Sequence, residues 1–281
     1  MGKILVTGAN GQLGSELAVL ASGYSHYEWV FADRSQITLD DLNILKIQLN
    51  EIQPDVIFNC GAYTAVDKAE TERELAFTIN NLSVELIAKY TFENNVKLVH
   101  ISTDYVFDGS SSSALNEEAE TNPINVYGES KLAGEIACLR ENPDSIIIRT
   151  SWVYSKFGNN FVKTMQRLMQ ERDTINVVND QIGSPTYAAD LAQAMMVILE
   201  SSDWISGIYN YSNEDEVSWY EFALSIKELG GYSCNVGGIP SSSYSTPAKR
   251  PSFSLLDKKK IKEVYNVNVP DYKESLKKMF V

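Results

Sequence analysis

Residues 125–134, Asn-Val-Tyr-Gly-Glu-Ser-Lys-Leu-Ala-Gly, carry a tyrosine and a lysine four positions apart. On a helix this spacing puts the Tyr127 phenol and the Lys131 ammonium on one face, about one turn apart. A phenol is a poor proton donor at neutral pH, its unperturbed pKa being about 10. A neighbouring positive charge favours the phenolate and draws that value toward the working range. Such a pair could protonate the oxygen of a carbonyl under reduction. The plain alternative is a solvated helix face, and the pair by itself does not decide between them.

The elements that would position this pair begin at the N-terminus. Lys3 to Thr7 is a short apolar run of the kind that forms a buried parallel strand. It feeds Gly8-Ala-Asn10-Gly11-Gln12-Leu13-Gly14, and a helical pattern follows with Leu13, Leu17 and Leu20 on one face. A strand, a glycine turn and a helix N-terminus make a phosphate site, because glycines admit the backbone and free N–H groups point at the anion. The spacing is G-x-x-G-x-x-G, a variant of the usual dinucleotide fingerprint. Trp29 to Ala32 is a second apolar run, ending in Asp33-Arg34. An acidic residue about 20 positions past the glycines is placed to hold a ribose 2′-OH, so Asp33 favours NADH. Arg34 could instead meet a 2′-phosphate and favour NADPH, and the choice stays open. Asp40 and Asp41 open a helix over 42–52, either serving its dipole or lying near an adenine.

Asp55 to Cys60 is the third strand, and Ala62, Tyr63 and Thr64 follow at its C-terminal end, where open α/β sheets bind ligands. One long helix is expected over 69–94. Asn80 on it is either a satisfied core amide or a residue holding backbone or water behind the site. Lys97 to Ser102 is the fourth strand, with His100 read as a core histidine, and it runs into Thr103-Asp104, whose hydroxyl could bond a substrate carbonyl. Residues 108–122 read as a surface loop, either plain or closing over substrate. Ser145 to Arg149 is the fifth strand.

This alternation predicts an α/β fold with a doubly wound parallel (Rossmann) sheet. Further on, an amphipathic helix spans 160–172, a buried helix 191–199, and a strand over 208–211 could extend the sheet. Beyond Asn213, turns and proline-rich pieces dominate, and Lys258-Lys-Lys260 reads as a solvated helix face. The expected division is a dinucleotide-binding domain of 1–150 with 165–212, and a smaller ligand-capping lobe of 151–164 with 213–281.

Composition narrows the class. The 281 residues are 44% hydrophobic and 22% charged, with a net charge of −13, which argues against nucleic acid or an anionic membrane as partner. Cys60, Cys138 and Cys234 are widely spaced and form no disulfide framework, fitting a reducing cytoplasm. His26 and His100 are the only histidines, which argues against a histidine zinc site. There is no signal-peptide layout and no membrane-length apolar stretch.

The glycine loop, Asn80, Ser102-Thr103-Asp104 and Tyr127-x-x-x-Lys131, in this order, resemble the extended short-chain dehydrogenase/reductase family. Six further matches narrow it. Ser102-Thr-Asp-Tyr-Val-Phe107, Asn125 to Glu135, Arg149-Thr-Ser-Trp-Val-Tyr154, Gly158-Asn-Asn-Phe161, Asn179-Asp-Gln-Ile-Gly-Ser-Pro-Thr186 and Ala248-Lys-Arg-Pro251 resemble the dTDP-4-dehydrorhamnose reductases. The resemblance implies hydride transfer from NADPH or NADH to C4 of dTDP-6-deoxy-L-lyxo-4-hexulose, a dTDP-4-keto-6-deoxy sugar. Tyr127 would protonate the developing alkoxide. Lys131 would hold the nicotinamide ribose and lower the Tyr127 pKa. Thr103 would bond the C4 oxygen, and Asp104 and Trp152 would place the sugar. The substrate diphosphate calls for cations, Arg250 foremost with Lys249 beside it, while Gln181 and Asn160 would read the nucleotide. Some relatives share a magnesium ion between subunits through glutamates. Here Glu16 fits one position, Ala189 stands at another and the tail ends without a glutamate, so no metal is expected, and the chain is a monomer or homodimer. A sister 4-ketoreductase and a non-catalytic nucleotide-binding subunit are the alternatives.

Overall fold

The computed structural model describes residues 2–280. Its first half alternates as expected: β1 (Lys3–Thr7), α1 (Gln12–Leu20), β2 (Glu28–Ala32), α2 (Leu42–Ile52) and β3 (Val56–Asn59). Then come α3 (Val66–Ala69), α4 (Arg73–Phe77), α5 (Ser83–Glu93), β4 (Lys97–Thr103), α6 (Val126–Glu141) and β5 (Ile146–Thr150). The strands are mostly apolar because helices cover both faces, and Ile4, Leu5, Val6, Ile57 and Phe58 are completely buried.

After β5 the chain makes β6 (Val153–Tyr154), α7 (Phe161–Glu171), β7 (Thr174–Val178), β8 (Ile182–Gly183) and β9 (Thr186–Tyr187). α8 (Ala188–Glu200) and β10 (Gly207–Tyr211) return to the sheet, and β11 (Val217–Ser218), α9 (Trp219–Gly230), β12 (Asn235–Ile239), α10 (Lys259–Tyr265) and α11 (Tyr272–Lys277) complete the chain. The main sheet runs β10-β5-β4-β3-β1-β2, parallel throughout. The order reverses between β1 and β3, which opens a crevice at their C-terminal ends.

Several expectations are corrected. The single helix over 69–94 is broken into α3, α4, a π turn at Thr78–Leu82 and α5. The chain leaves the helix only at 70–72; the π turn comes from close packing, since a Cβ on Gly134 of α6 would lie 2.0 Å from the Asn80 carbonyl oxygen and the backbone bulges there against a glycine. The region past Asn213 is not mostly turns, for α9 is a full helix. Ser218 and Glu221 form its capping box and Gly231, at φ 62°, ends it; a cap of this kind contributes about 1 kcal/mol.

Packing distributes these elements over more than one core. Met165, Met169, Ile175 and Val177 bury themselves with Phe222, Val236 and Leu276 in a second core, away from the sheet, and β7 pairs with β12. Conversely, Ile261 and Tyr265 of α10 pack into the sheet's core. The amphipathic stripe of α7 packs against α9. Loop 108–122 is pinned: Leu115 exchanges backbone hydrogen bonds with the 255–257 segment, and Glu117 accepts from the Asn210 N–H. Lys258 is no solvated residue but is buried beside Glu214 at 3.5 Å, and Lys260 donates to the Ile208 carbonyl. No helix of the described residues is long and apolar enough to cross a membrane.

Candidate active site

The glycine loop sits at the switch point. Gly8 has φ 66°, and a Cβ there would lie 2.8 Å from the Gly61 backbone, so β1 and β3 can converge only on two glycines. A Cβ on Gly14 would strike the Gly8 carbonyl at 2.5 Å. α1 starts after Gly11 without a side-chain cap, which leaves its first-turn N–H groups open to an anion. From this loop a cleft of about 810 Å³ runs past Ala62, Tyr63 and Thr64 to Thr103, Asp104, Tyr127, Lys131 and Trp152. Its size, its glycine cradle and its uncapped helix fit a dinucleotide.

At the outer end, Arg34 and Asp40 line the cleft and pair with each other. Asp33 accepts from the Ser35 N–H at 2.8 Å and hydroxyl at 2.6 Å, which hold its carboxyl below the usual range. Asn10 is exposed and reaches Asp33 at 3.4 Å. Asp41 caps α2, accepting from the Asn43 and Ile44 N–H groups, and lies off the cleft wall.

Asn80 lies behind the cleft. It is 1% exposed, and its amide is spent on protein, accepting from the Tyr63 N–H at 2.9 Å and donating to the Tyr63 carbonyl at 3.0 Å and the Ser130 hydroxyl at 2.9 Å. Ser130 in turn donates to the Tyr127 carbonyl. Asn80 thus ties the loop after β3 to the helix that carries Tyr127 and Lys131.

α6 is set by its cap. Asn125 accepts from the Gly128 N–H at 2.8 Å and donates to the Lys249 carbonyl at 2.7 Å. Gly128 lets the helix press on Tyr105, whose carbonyl would lie 2.2 Å from a Cβ. Burial pushes the Tyr127 phenol up to about 12, against the Thr103 hydroxyl, which favours the phenolate. Lys131 Nζ donates to the Ile101 carbonyl at 2.7 Å. Burial also pulls the Lys131 ammonium down to about 8, against Glu135 chiefly. Thr103 donates to Asp104 Oδ1 at 3.0 Å, while Oδ2 of Asp104, a residue 2% exposed, has no partner. Burial raises that carboxyl to about 6.

Trp152 closes the inner end. It holds φ 47°, rare for a bulky residue, and stacks on Trp219 with ring centroids 3.6 Å apart. Strain of this sort collects at functional sites. The structure does not bring three expected substrate residues onto the cleft wall. Asn160 caps α7 and donates to Gln12 Oε1 at 3.0 Å; its neighbours Gly158 and Asn159 line the cleft instead. Gln181 lies beside β8, outside the lining. Arg250 is held by Asp67 through bonds of 3.1 and 2.9 Å, a partner that no local pattern in the sequence could announce. Sequence reading also missed the buried pair Glu135–Arg149 and the contact of His100 with Lys131. Glu16 is buried and accepts from the Ser155 hydroxyl at 2.6 Å. Among the described residues, no three His, Cys, Asp or Glu side chains cluster to hold a metal.

Comparison with known proteins matches residues 2–281 to the family model described as RmlD substrate binding domain. The chain is 40% identical to the dTDP-4-dehydrorhamnose reductase of Aggregatibacter actinomycetemcomitans, over 99% of this chain and 98% of that one. It superposes on the crystal structure of dTDP-4-dehydrorhamnose reductase from Bacillus anthracis in complex with NADP with a TM-score of 0.95, at 38% identity over 99% and 98% of the two chains. It is also 36% identical to the dTDP-4-keto-6-deoxy-D-glucose reductase of Streptomyces niveus, over 90% of this chain and 87% of that one.

Proposed function

The chain belongs to the RmlD substrate binding domain family, and from that premise we propose that it reduces the C4 ketone of dTDP-4-dehydro-L-rhamnose to dTDP-L-rhamnose. The carrying observation is the convergence of Thr103, Tyr127 and Lys131 in one cleft whose far end is the glycine loop. A bound NADPH or NADH supplies the hydride. The Gly8–Gly14 loop and the first turn of α1 receive its diphosphate, with Arg34 and Asp40 at the adenosine end.

The Tyr127 phenol is the donor that meets the C4 oxygen as charge develops on it, joined by the Thr103 hydroxyl, which turns from Asp104 Oδ1 when the substrate arrives. Tyr127 then gives up its proton. A phenol raised to about 12 in the free enzyme stays protonated until an alkoxide, a stronger base, forms beside it. Lys131, at the floor, supports the phenolate left behind. Trp152, fixed by Trp219, and Asp104 bound the sugar. The Arg250 guanidinium, held by Asp67 off the cleft lining, is the cation that the substrate diphosphate would have to draw in.

The likeness to the Streptomyces niveus enzyme favours a second reading, reduction of the unepimerised 4-keto-6-deoxyglucose nucleotide. Following NADPH absorbance with that nucleotide, with and without a 3,5-epimerase, separates them. Oxidation that requires the epimerase supports the rhamnose product; oxidation without it supports the second reading. Cofactor binding without oxidation in either arm refutes both.

A further inference from the structure

His100 is completely buried inside β4, and its two ring nitrogens face different partners. Asn59 Nδ2 lies 3.0 Å from Nδ1, and Lys131 Nζ lies 3.5 Å from Nε2. Asn59 at the end of β3 is buried too, and its Oδ1 lies 2.7 Å from the Thr7 hydroxyl. Thr7 ends β1, and its oxygen accepts the Gly61 N–H at 3.0 Å.

These four contacts have a direction. The Gly61 N–H can only donate, so it occupies a lone pair of Thr7 Oγ1. That hydroxyl, completely buried, has Asn59 Oδ1 as its acceptor. The Asn59 amide nitrogen therefore faces His100 and donates to Nδ1. A neutral imidazole that accepts at Nδ1 carries its proton at Nε2, and Nε2 faces Lys131. An ammonium there would set N–H against N–H, whereas a neutral amine offers a lone pair.

We propose that Thr7, Asn59 and His100 form a one-way hydrogen-bond relay that fixes the Nε2–H tautomer of His100 and, through it, favours the neutral amine of Lys131. They are positioning residues, since none of them lines the cleft. The consequence for catalysis rests on the reductase reading; the tautomer and the Lys131 titration do not. The other titratable groups around Nζ are Cys60 at the end of β3 and Glu135 and Cys138 on α6, and Glu135 is already taken by Arg149. Burial keeps the imidazole from charging, with Lys131 adding to the effect, and the burial of Lys131 pulls in the same sense as the relay. With the relay in place, Lys131 changes charge close to neutrality, and turnover inherits that sensitivity to pH.

Long-range nitrogen NMR of the imidazoles tests this in the intact protein, with His26 the only other histidine to assign. The expected spectrum has a pyridine-like Nδ1 and a pyrrole-like Nε2 for His100 between pH 6 and 9. The reverse tautomer or an imidazolium overturns the proposal. Lys131 is read from lysine 13Cε titration, assigned by its loss in Lys131→Met. In Asn59→Asp the carboxylate takes the proton side of Nδ1, Nε2 becomes an acceptor, and Lys131 should titrate about one pH unit or more higher. His100→Phe removes the donor and should move it the same way if Asn59→Asp does not fold. An unmoved Lys131 titration in a folded variant overturns the coupling. Loss of the reductase reading would appear separately, as absent NAD(P)H oxidation in a wild-type protein whose spectra behave as expected.

Discussion

Replacing Glu135 with Gln should weaken the fold and shift the chemistry at once. Glu135 and Arg149 are 2% and 3% exposed in their side chains. The guanidinium meets the carboxylate through Nε at 3.0 and 3.2 Å and Nη2 at 2.7 Å, tying β5 to α6. Removing one partner of a buried pair costs about 3–5 kcal/mol, because the other charge is left uncompensated. Glutamine keeps one acceptor oxygen, and Arg149 retains the Glu117 carbonyl and the Phe107 ring, so the lower end, about 3 kcal/mol, is expected. At about 2–4 °C per kcal/mol for a chain of this size, the thermal midpoint should fall by roughly 6–12 °C. Glu135 is also the largest influence holding the Lys131 charge against burial, so Lys131 should titrate below about 8 in the variant. Thermal unfolding and lysine NMR read the two effects. Adding Arg149→Met should recover most of the stability. An unchanged midpoint in the single variant would refute the reasoning, because it would mean that the buried Arg149 does not need its partner.

Three other outcomes are expected. Asp104 is raised to about 6 by burial, so its ionisation opposes folding above that pH and costs nothing below its ordinary value near 3.8. Asp104→Asn should therefore gain up to about 3 kcal/mol at pH 7 and nothing near pH 3.5, which denaturant unfolding at both pH values would show. Asn80→Ala should leave the half-buried Tyr63 N–H without its acceptor and lose roughly 1–3 kcal/mol, and it should raise the KM for cofactor more than it lowers kcat, since Tyr63 lines the cleft. The alkaline limb of kcat/KM should fall near pH 8, where Lys131 loses its charge; a limb near 10 would contradict the buried setting of Nζ.

The sheet was legible because parallel strands read as short apolar runs, and β1 to β5 and β10 each come from one. The Tyr127–Lys131 pair was legible because helical spacing alone puts the two residues on one face. What escaped depends on distance in the fold. The π turn follows from Gly134 packing on Asn80, 54 positions apart in sequence. The Asp67–Arg250 pair spans 183 positions. His100 looks like any core residue until its neighbours across β3 and α6 are known. α9 was different: Ser218-Trp-Tyr-Glu221 is a capping box visible in the sequence, overshadowed by the proline-rich stretch that begins at Pro240.

The most direct test of the proposed reaction is to follow the label from nicotinamide-deuterated NADPH into dTDP-4-dehydro-L-rhamnose and read the sugar product by NMR. Deuterium at C4 of dTDP-L-rhamnose, lost together with turnover in Tyr127→Phe while cofactor binding persists, is the predicted result. Label at another carbon, or undiminished transfer in Tyr127→Phe, would contradict it.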